Sequence, residues 1–413
     1  MTDRLQPQEW MTAPNTVAVL EALAAVGAKA RFVGGCVRDA LIGRPVGDID
    51  IATDAVPERV IEALEAAGIK AIPTGIDHGT ITAVADGMPF EITTLRRDVE
   101  TFGRHATVAF TDDWKEDAAR RDFTINALSL DRDGTLHDPF GGVDDLRAGR
   151  IRFVGEPEAR IEEDVLRLLR FFRFHAHYGR NGLDPGGLAA CRKMAPRLAN
   201  LSAERIWSEL RKLLLSPDPG AVLRTMRASA VIGVVLPEAS EFDRLDRLIA
   251  LEAGAVQRWP AIAGADAVRR LGALVAVDEP GADALARRLR TSNAERERLV
   301  AIARGLREPP NLPDDQAVRR TLYRMPRDQF VDVALVLWAA RSDPAPWQDA
   351  LALAAHWTAP AFPIAGRDAS TLGIPQGPRI GALLRAVEDW WIAQDFRPDR
   401  NACLARLRVE AGR

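Results

Sequence analysis

The sequence has little cysteine, lysine or histidine: three Cys, five Lys and six His in 413 residues. Cys36, Cys191 and Cys403 are odd in number and far apart, which fits neither a disulfide framework nor a zinc site and predicts small buried residues. No apolar run approaches the roughly 20 residues that span a bilayer, so no membrane role is expected. The sequence does not open on a basic stretch followed by an apolar core, and the expected compartment is the cytoplasm. A net charge of −3 argues against a general basic coat for nucleic acid. With so few lysines, the cations are overwhelmingly Arg, which suits bidentate contact with phosphate and base edges. A GC-rich coding sequence would produce the same excess.

The pattern changes once along the chain. Residues 14–27 read as an amphipathic helix, with Pro14 near its start and Gly27 at its end. Ala30 to Val33 is a short apolar strand running into Gly34-Gly35; Val37 to Leu41 starts a helix, and Asp48 to Thr53 is a second strand. After a helix at 57–67, Thr80 to Ala85 and Phe90 to Leu95 read as paired strands joined by Asp86-Gly87. Beyond Pro139 the strand signals almost disappear, leaving helical periodicities at 156–178, 202–215, 240–253, 282–306, 327–341 and 380–393. The expected fold class is α+β: a mixed-sheet head over 1–140, then an all-α neck (141–215), body (216–308) and tail (309–413), with breaks near Ser216–Gly220, Glu308–Pro310 and Pro360–Pro363.

The chemistry concentrates in the head and neck. Gly34-Gly35 is followed, after twelve residues, by Asp48-Ile49-Asp50. On a strand, alternate residues share a face, so Asp48 and Asp50 present their carboxylates together while Ile49 packs inward. Two such carboxylates repel unless a cation lies between them, and hard Mg²⁺ prefers oxygen ligands. The glycines let the backbone approach a ligand, and the N–H groups opening the next helix suit phosphate oxygens. Glu91, on a strand able to lie beside that of Asp48, is the candidate third carboxylate. In Arg120-Arg121-Asp122-Phe123-Thr124-Ile125-Asn126, the arginines can neutralise a triphosphate or pyrophosphate, and Asn126 can reach a ribose hydroxyl. Asp138-Pro139-Phe140-Gly141-Gly142 could be no more than a turn into the neck. The neck segment 147–180 holds eight Arg against five acids. Within it, Asp164 and Arg167 stand three apart, on one face of a helix. The pair is either an ordinary surface ion pair or a reader of the Watson–Crick edge of cytosine or adenine, bases that carry an amino group beside acceptors.

In this order the motifs resemble the class II nucleotidyltransferases of the DNA polymerase β superfamily, specifically bacterial CCA-adding enzymes and their poly(A) polymerase relatives. The resemblance is strong over about 31–180, and Leu372 to Gly381 looks like the family's C-terminal Gly-Pro segment. It implies template-independent addition of CCA to the tRNA 3′ end from CTP and ATP, with pyrophosphate released. By the same resemblance, Asp48 and Asp50 bind catalytic Mg²⁺ in a two-metal scheme. Gly34, Gly35, Arg38, Arg121 and Arg170 hold the triphosphate, and Asp164 with Arg167 acts as the amino-acid template. Arg96 to His105 corresponds to the family's flexible loop, with His105 where a second Arg is usual. The tRNA would lie along neck, body and tail, bound through phosphates and shape. No stable protein partner is expected. No phosphohydrolase His-Asp domain is evident, and His175 and His177 read as neck packing or RNA-facing residues. The alternatives are a poly(A) polymerase, a CC-adding enzyme, or a non-catalytic RNA-binding protein.

Overall fold

In the computed structural model of the chain, residues 4–102, 105–260, 264–341, 345–371 and 377–412 are described, with backbone alone between 98 and 108. The chain divides into two units, Met1–Pro237 and Glu238–Arg413.

The first unit is built on strands β1 (Ala30–Val33), β2 (Ile49–Thr53), β3 (Lys70–Gly75), β4 (Thr80–Ala85), β5 (Met88–Thr94), β6 (Arg96–Phe102), β7 (His105–Phe110), β8 (Ser129–Leu130) and β9 (Leu136–His137). Seven of them form one mixed sheet in the order β3-β4-β5-β2-β1-β8-β9, while β6 and β7 make a separate antiparallel hairpin. That hairpin is the stretch expected as a flexible loop; the side chain of His105 lies outside the described residues. Strands β4 and β5 pair around Asp86-Gly87, whose positive φ angles of 50° and 78° belong to a tight hairpin turn. Strand β2 starts at Ile49, so Asp48 stands just before it and not within it.

Alternation along these strands sorts the sheet into a covered and an open face. Phe32, Ile49, Ile51, Phe90 and Ile92 pack beneath α1 (Glu9–Thr12), α2 (Pro14–Ala25), α3 (Gly35–Leu41) and α4 (Pro57–Ala66), against Met11, Val19, Leu23, Val37, Val60 and Leu64. Proline opens both α2 and α4, where its missing N–H costs no hydrogen bond. The intervening residues face the other way. Val33, Ala52 and Leu95 meet Trp114 there, and Asp50 lies opposite Glu91 on the parallel strand β5.

Helices α5 (Trp114–Ala119), α6 (Gly142–Ala148), α7 (Pro157–Glu163), α8 (Leu166–Tyr178), α9 (Pro185–Met194), α10 (Ala203–Leu214), α11 (Pro219–Ala228) and α12 (Ile232–Val235) complete this unit. The single helix expected over 156–178 is two. Asp164 breaks it in extended conformation (φ −148°, ψ 107°), its carboxylate accepting from the Leu166 N–H at 3.1 Å and its carbonyl from the Arg167 N–H at 3.0 Å. An Asp side chain competes in this way with the helical ladder. The expected break at Ser216–Gly220 in turn launches α11, with Pro219 as its first residue. Phe123 binds α8 to the head: its ring centroid lies 4.9 Å from that of Phe153 and 5.2 Å from that of Phe174.

The second unit is helical: α13 (Phe242–Arg258), α14 (Ala267–Leu274), α15 (Glu279–Leu289), α16 (Asn293–Arg307), α17 (Asp315–Arg324), α18 (Arg327–Ala340), α19 (Ala345–His356), α20 (Gly366–Thr371), α21 (Pro378–Ala393) and α22 (Arg400–Glu410). The helix expected over 282–306 is also two. Arg290 turns left-handed (φ 52°), and Ser292 with Glu295 forms a capping box that starts α16. The core of this unit contains a closed ionic group, in which Arg269 meets Glu252 at 3.0 Å and Asp332 at 2.9 Å, while Arg298 meets Asp332 at 2.6 Å. Each buried charge there has an opposite partner, without which its burial would be costly. Of the Gly-Pro segment, residues 372–376 lie outside the described residues; Gly377-Pro378 opens α21. The three cysteines are buried and free, as expected. Among the described residues, no strand follows His137 and no helix is long and apolar enough to cross a membrane.

Gly142 tests how tightly the turn into α6 is packed. A Cβ there would meet the Thr124 carbonyl oxygen at 2.1 Å. Gly142→Ala should therefore lose about 1–3 kcal/mol of stability by overpacking, read as a lower urea midpoint at unchanged slope.

Candidate active site

Strand β1 runs into Gly34, whose φ of 70° is left-handed, and α3 begins at Gly35. A Cβ on Gly34 would lie 3.2 Å from Arg121 Nη1 and 3.7 Å from Asp50 Oδ2. The turn is thus packed between a carboxylate and a guanidinium, where a side chain would intrude. Beneath it, the buried Cys36 thiol donates to the Val33 carbonyl at 3.2 Å. Burial pushes this thiol up to about 11, so it stays protonated and serves as packing.

The open face of the sheet borders a cavity of about 530 Å³. Gly34, Gly35, Arg38, Asp50, Glu91, Arg121, Asn126, Asp164, Arg167 and Arg170 all line it; Asp48 is exposed and does not. Asp50 is held at about 6, first by burial and next by repulsion from Glu91 and Asp48, against a partial offset from Arg121. A carboxylate raised first by burial and then by like-charged neighbours is short of positive charge. Oxygen-only donors in that condition fit a hard divalent cation. Among the described residues, no three His, Cys, Asp or Glu side chains already converge as a metal cluster.

The arginines are fixed by carboxylates behind them. Asp117 takes Arg120 Nε at 2.8 Å and Arg121 Nη2 at 3.3 Å. Asp122 takes Arg170 Nε at 2.6 Å and the Asn126 amide at 2.9 Å. Burial alone would raise the Asp122 carboxyl, but Arg170 and the Asn126 hydrogen bond hold it below the usual range. Arg38 donates to Asn126 Oδ1 at 2.7 Å and to Asp39, and stacks over Tyr178 at 4.3 Å. Asn126 therefore bridges Arg38 and Asp122 and does not present a free side chain to a ribose. Asp138, too, is occupied: it accepts from the Gly142 and Val143 N–H groups at 2.7 and 2.9 Å, opening α6.

Asp164 reaches the cavity from the break between α7 and α8 and Arg167 from the first turn of α8, so the two do not share one helical face. They are not the ordinary ion pair either, because each has its own partner. Asp164 takes Arg205 Nη2 at 2.7 Å, and Arg167 pairs with Glu163 and donates to the Arg120 carbonyl at 3.0 Å. Arg120, expected with Arg121 to meet a triphosphate, also lines the cavity, whereas sequence reasoning missed Arg205 and Asp122 as cavity residues. For Arg205 a signal existed: it stands four residues before Glu209 on the helix expected at 202–215, on the face turned to α8. His177 packs within the unit, its ring meeting the Lys212 carbonyl at 2.9 Å.

Residues 30–152 match the family described as the Poly A polymerase head domain, and residues 183–243 match one described as a probable RNA and SrmB- binding site of polymerase A. Fold and site together define a nucleotidyltransferase of polymerase type. The mitochondrial CCA tRNA nucleotidyltransferase 1 of Danio rerio is 34% identical over 392 residues, 91% of this chain and 86% of its own. The CCA-adding enzyme of Geobacillus stearothermophilus is 39% identical over 251 residues, 60% of this chain and 59% of its own. The crystal structure of the Bacillus stearothermophilus CCA-adding enzyme in complex with CTP superposes with a TM-score of 0.77 at 30% identity, covering 96% of this chain and 97% of that one. The chain belongs to the family of CCA-adding tRNA nucleotidyltransferases, and it is an enzyme.

The Gly34 turn provides a test. Gly34→Ala forces a left-handed alanine against Arg121 and Asp50. Nucleotide incorporation should drop roughly ten- to a hundredfold, with a loss of about 1–3 kcal/mol of stability that leaves the protein folded at the assay temperature, as expected when reacting groups are slightly misplaced by local strain. Unchanged incorporation would mean that the turn does not approach the substrate.

Proposed function

We infer that the chain adds CCA to the 3′ ends of tRNA, taking CTP and then ATP without a nucleic-acid template and releasing pyrophosphate. The observation that carries this reading is the cavity itself, which sets Asp50 and the Gly34-Gly35 turn at one side and Asp164 with Arg167 at the other. One side has the groups for phosphoryl transfer, the other those for choosing a base.

Asp48 and Asp50 are proposed to hold Mg²⁺, with Glu91 as the adjacent third carboxylate. When bound, the metal would lower the pKa of the RNA 3′ hydroxyl and neutralise charge developing on the phosphoryl oxygens. The chain's own part is positioning and electrostatics. The N–H groups after Gly34 face the phosphates, and Arg121 and Arg170, fixed by Asp117 and Asp122, balance the triphosphate charge without moving. Arg38, engaged by Asp39 and Asn126, braces the turn as much as it binds. Asp164 accepts from the exocyclic amino group of cytosine or adenine while Arg167 donates to a ring nitrogen or carbonyl. Guanine and uracil would set a carbonyl against the Asp164 carboxylate, two acceptors facing each other with no donor between them. The helices beyond residue 140 are proposed as neck, body and tail, bearing the tRNA through phosphate contacts. The three unpaired, buried cysteines support a reducing compartment, for which we propose the cytoplasm.

The test supplies a tRNA ending before CCA with CTP and ATP, together and singly, and reads product length. Growth by three nucleotides followed by arrest is expected; a continuing ladder of A would instead make the enzyme a poly(A) polymerase. Asp48→Ala should abolish incorporation and leave tRNA binding by filter retention largely intact, whereas equal loss of both would indicate a folding role. Asp164→Ala should lose discrimination against UTP and GTP more than turnover. Survival of that discrimination would remove Asp164 from base selection.

A further inference from the structure

Asp164 and Arg167 carry opposite charges three residues apart, and such neighbours neutralise one another unless other partners intervene. Here other partners do. Asp164 is taken by Arg205 at 2.7 Å and by the Leu166 N–H at 3.1 Å. Arg167 is taken by Glu163 and by the carbonyl oxygens of Arg160 and Arg120 at 3.2 and 3.0 Å. Arg205 stands in the first turn of α10, and one turn later Glu209, buried, pairs with Arg173 of α8. Helix α10 thus presents a base and then an acid to an acid and then a base on the facing segment. Arg205 and Asp164 remain about a quarter exposed, at 25% and 24%, because both border the cavity.

We propose that Arg205 is a specificity-positioning residue: it holds the Asp164 carboxylate away from Arg167, so that both keep their hydrogen-bonding edges open to an incoming base. The proposal rests on the reading of Asp164 and Arg167 as the base-selecting pair. With one oxygen on Arg205 and the other on a backbone N–H, the carboxylate has its orientation fixed, yet each oxygen retains a lone pair for an amino donor. Without Arg205, Arg167 stands only three residues away on the same segment as an opposite charge. Pairing between the two would close the edge that reads the base, while the triphosphate contacts at Gly34 and Arg121 would be untouched. The defect is therefore one of discrimination, not of general binding.

The experiment compares kcat/KM for CTP with that for UTP on a tRNA lacking CCA. Arg205→Ala and Arg205→Gln should each lower the CTP-to-UTP ratio about tenfold or more, and Arg205→Lys should restore most of it by returning the charge. Glu209→Gln loosens the same helix contact without touching Asp164, and should leave the ratio at its wild-type value. A wild-type ratio in both the Ala and Gln variants, or an equal fall in Glu209→Gln, overturns the proposal. Asp164→Ala run in parallel separates the two levels. If it loses discrimination while the Arg205 variants keep it, the positioning role alone fails; if none loses it, the base-selecting assignment fails as well.

Discussion

The site depends on one buried carboxylate, that of Asp122. It holds Arg170 from α8 directly and Arg38 from α3 through Asn126, so a single anion ties the turn after β1 to α8. A carboxylate enclosed in this way is costly to bury unless its partners are complete, and here they are. The guanidiniums it fixes then stand ready in the cavity with little orientation left to lose. Asp117 does the same for Arg120 and Arg121. The cationic wall is preorganised by acids whose oxygens are already engaged by these arginines.

The sheet supplies the second constraint. Because strand residues alternate, the choice of which residues of β2 enter the core also decides where Asp50 points. Ile49 and Ile51 are buried beneath the helices, which leaves Asp50 and Ala52 on the open face, with Glu91 brought alongside by the parallel pairing of β2 and β5. Packing and chemistry are not separable in this strand. A register slip by one residue would bury the carboxylate and expose the isoleucines.

Much of this was legible in the sequence, for identifiable reasons. The glycine pair, the Asp-x-Asp spacing and the apolar alternation are local signals, and the strands and helices built on them appear within a residue or two of expectation. Strand β3 and the β6–β7 hairpin were not foreseen, the latter because its segment was read as a flexible loop, and the short strands β8 and β9 are only two residues long. The broken helices were misread because apolar periodicity runs on across a break. Only side-chain competition at Asp164 and a left-handed Arg290 reveal it. Partners were the least legible feature. Nothing in the spacing of Asp164 and Arg167 says that each prefers a third residue, and Arg205 lies on an element 41 residues away.

Among the described residues, every cation lining the cavity is an arginine, with no lysine and no histidine. Guanidinium groups do not lose their proton in proteins, so this positive wall keeps its full charge across the whole range of pH a cell can present. Nor does it offer an amine to acetylation. The scarcity of lysine noted at the outset thus has a local meaning: the charge that would meet a triphosphate here is set by the covalent structure, beyond the reach of either proton concentration or lysine modification.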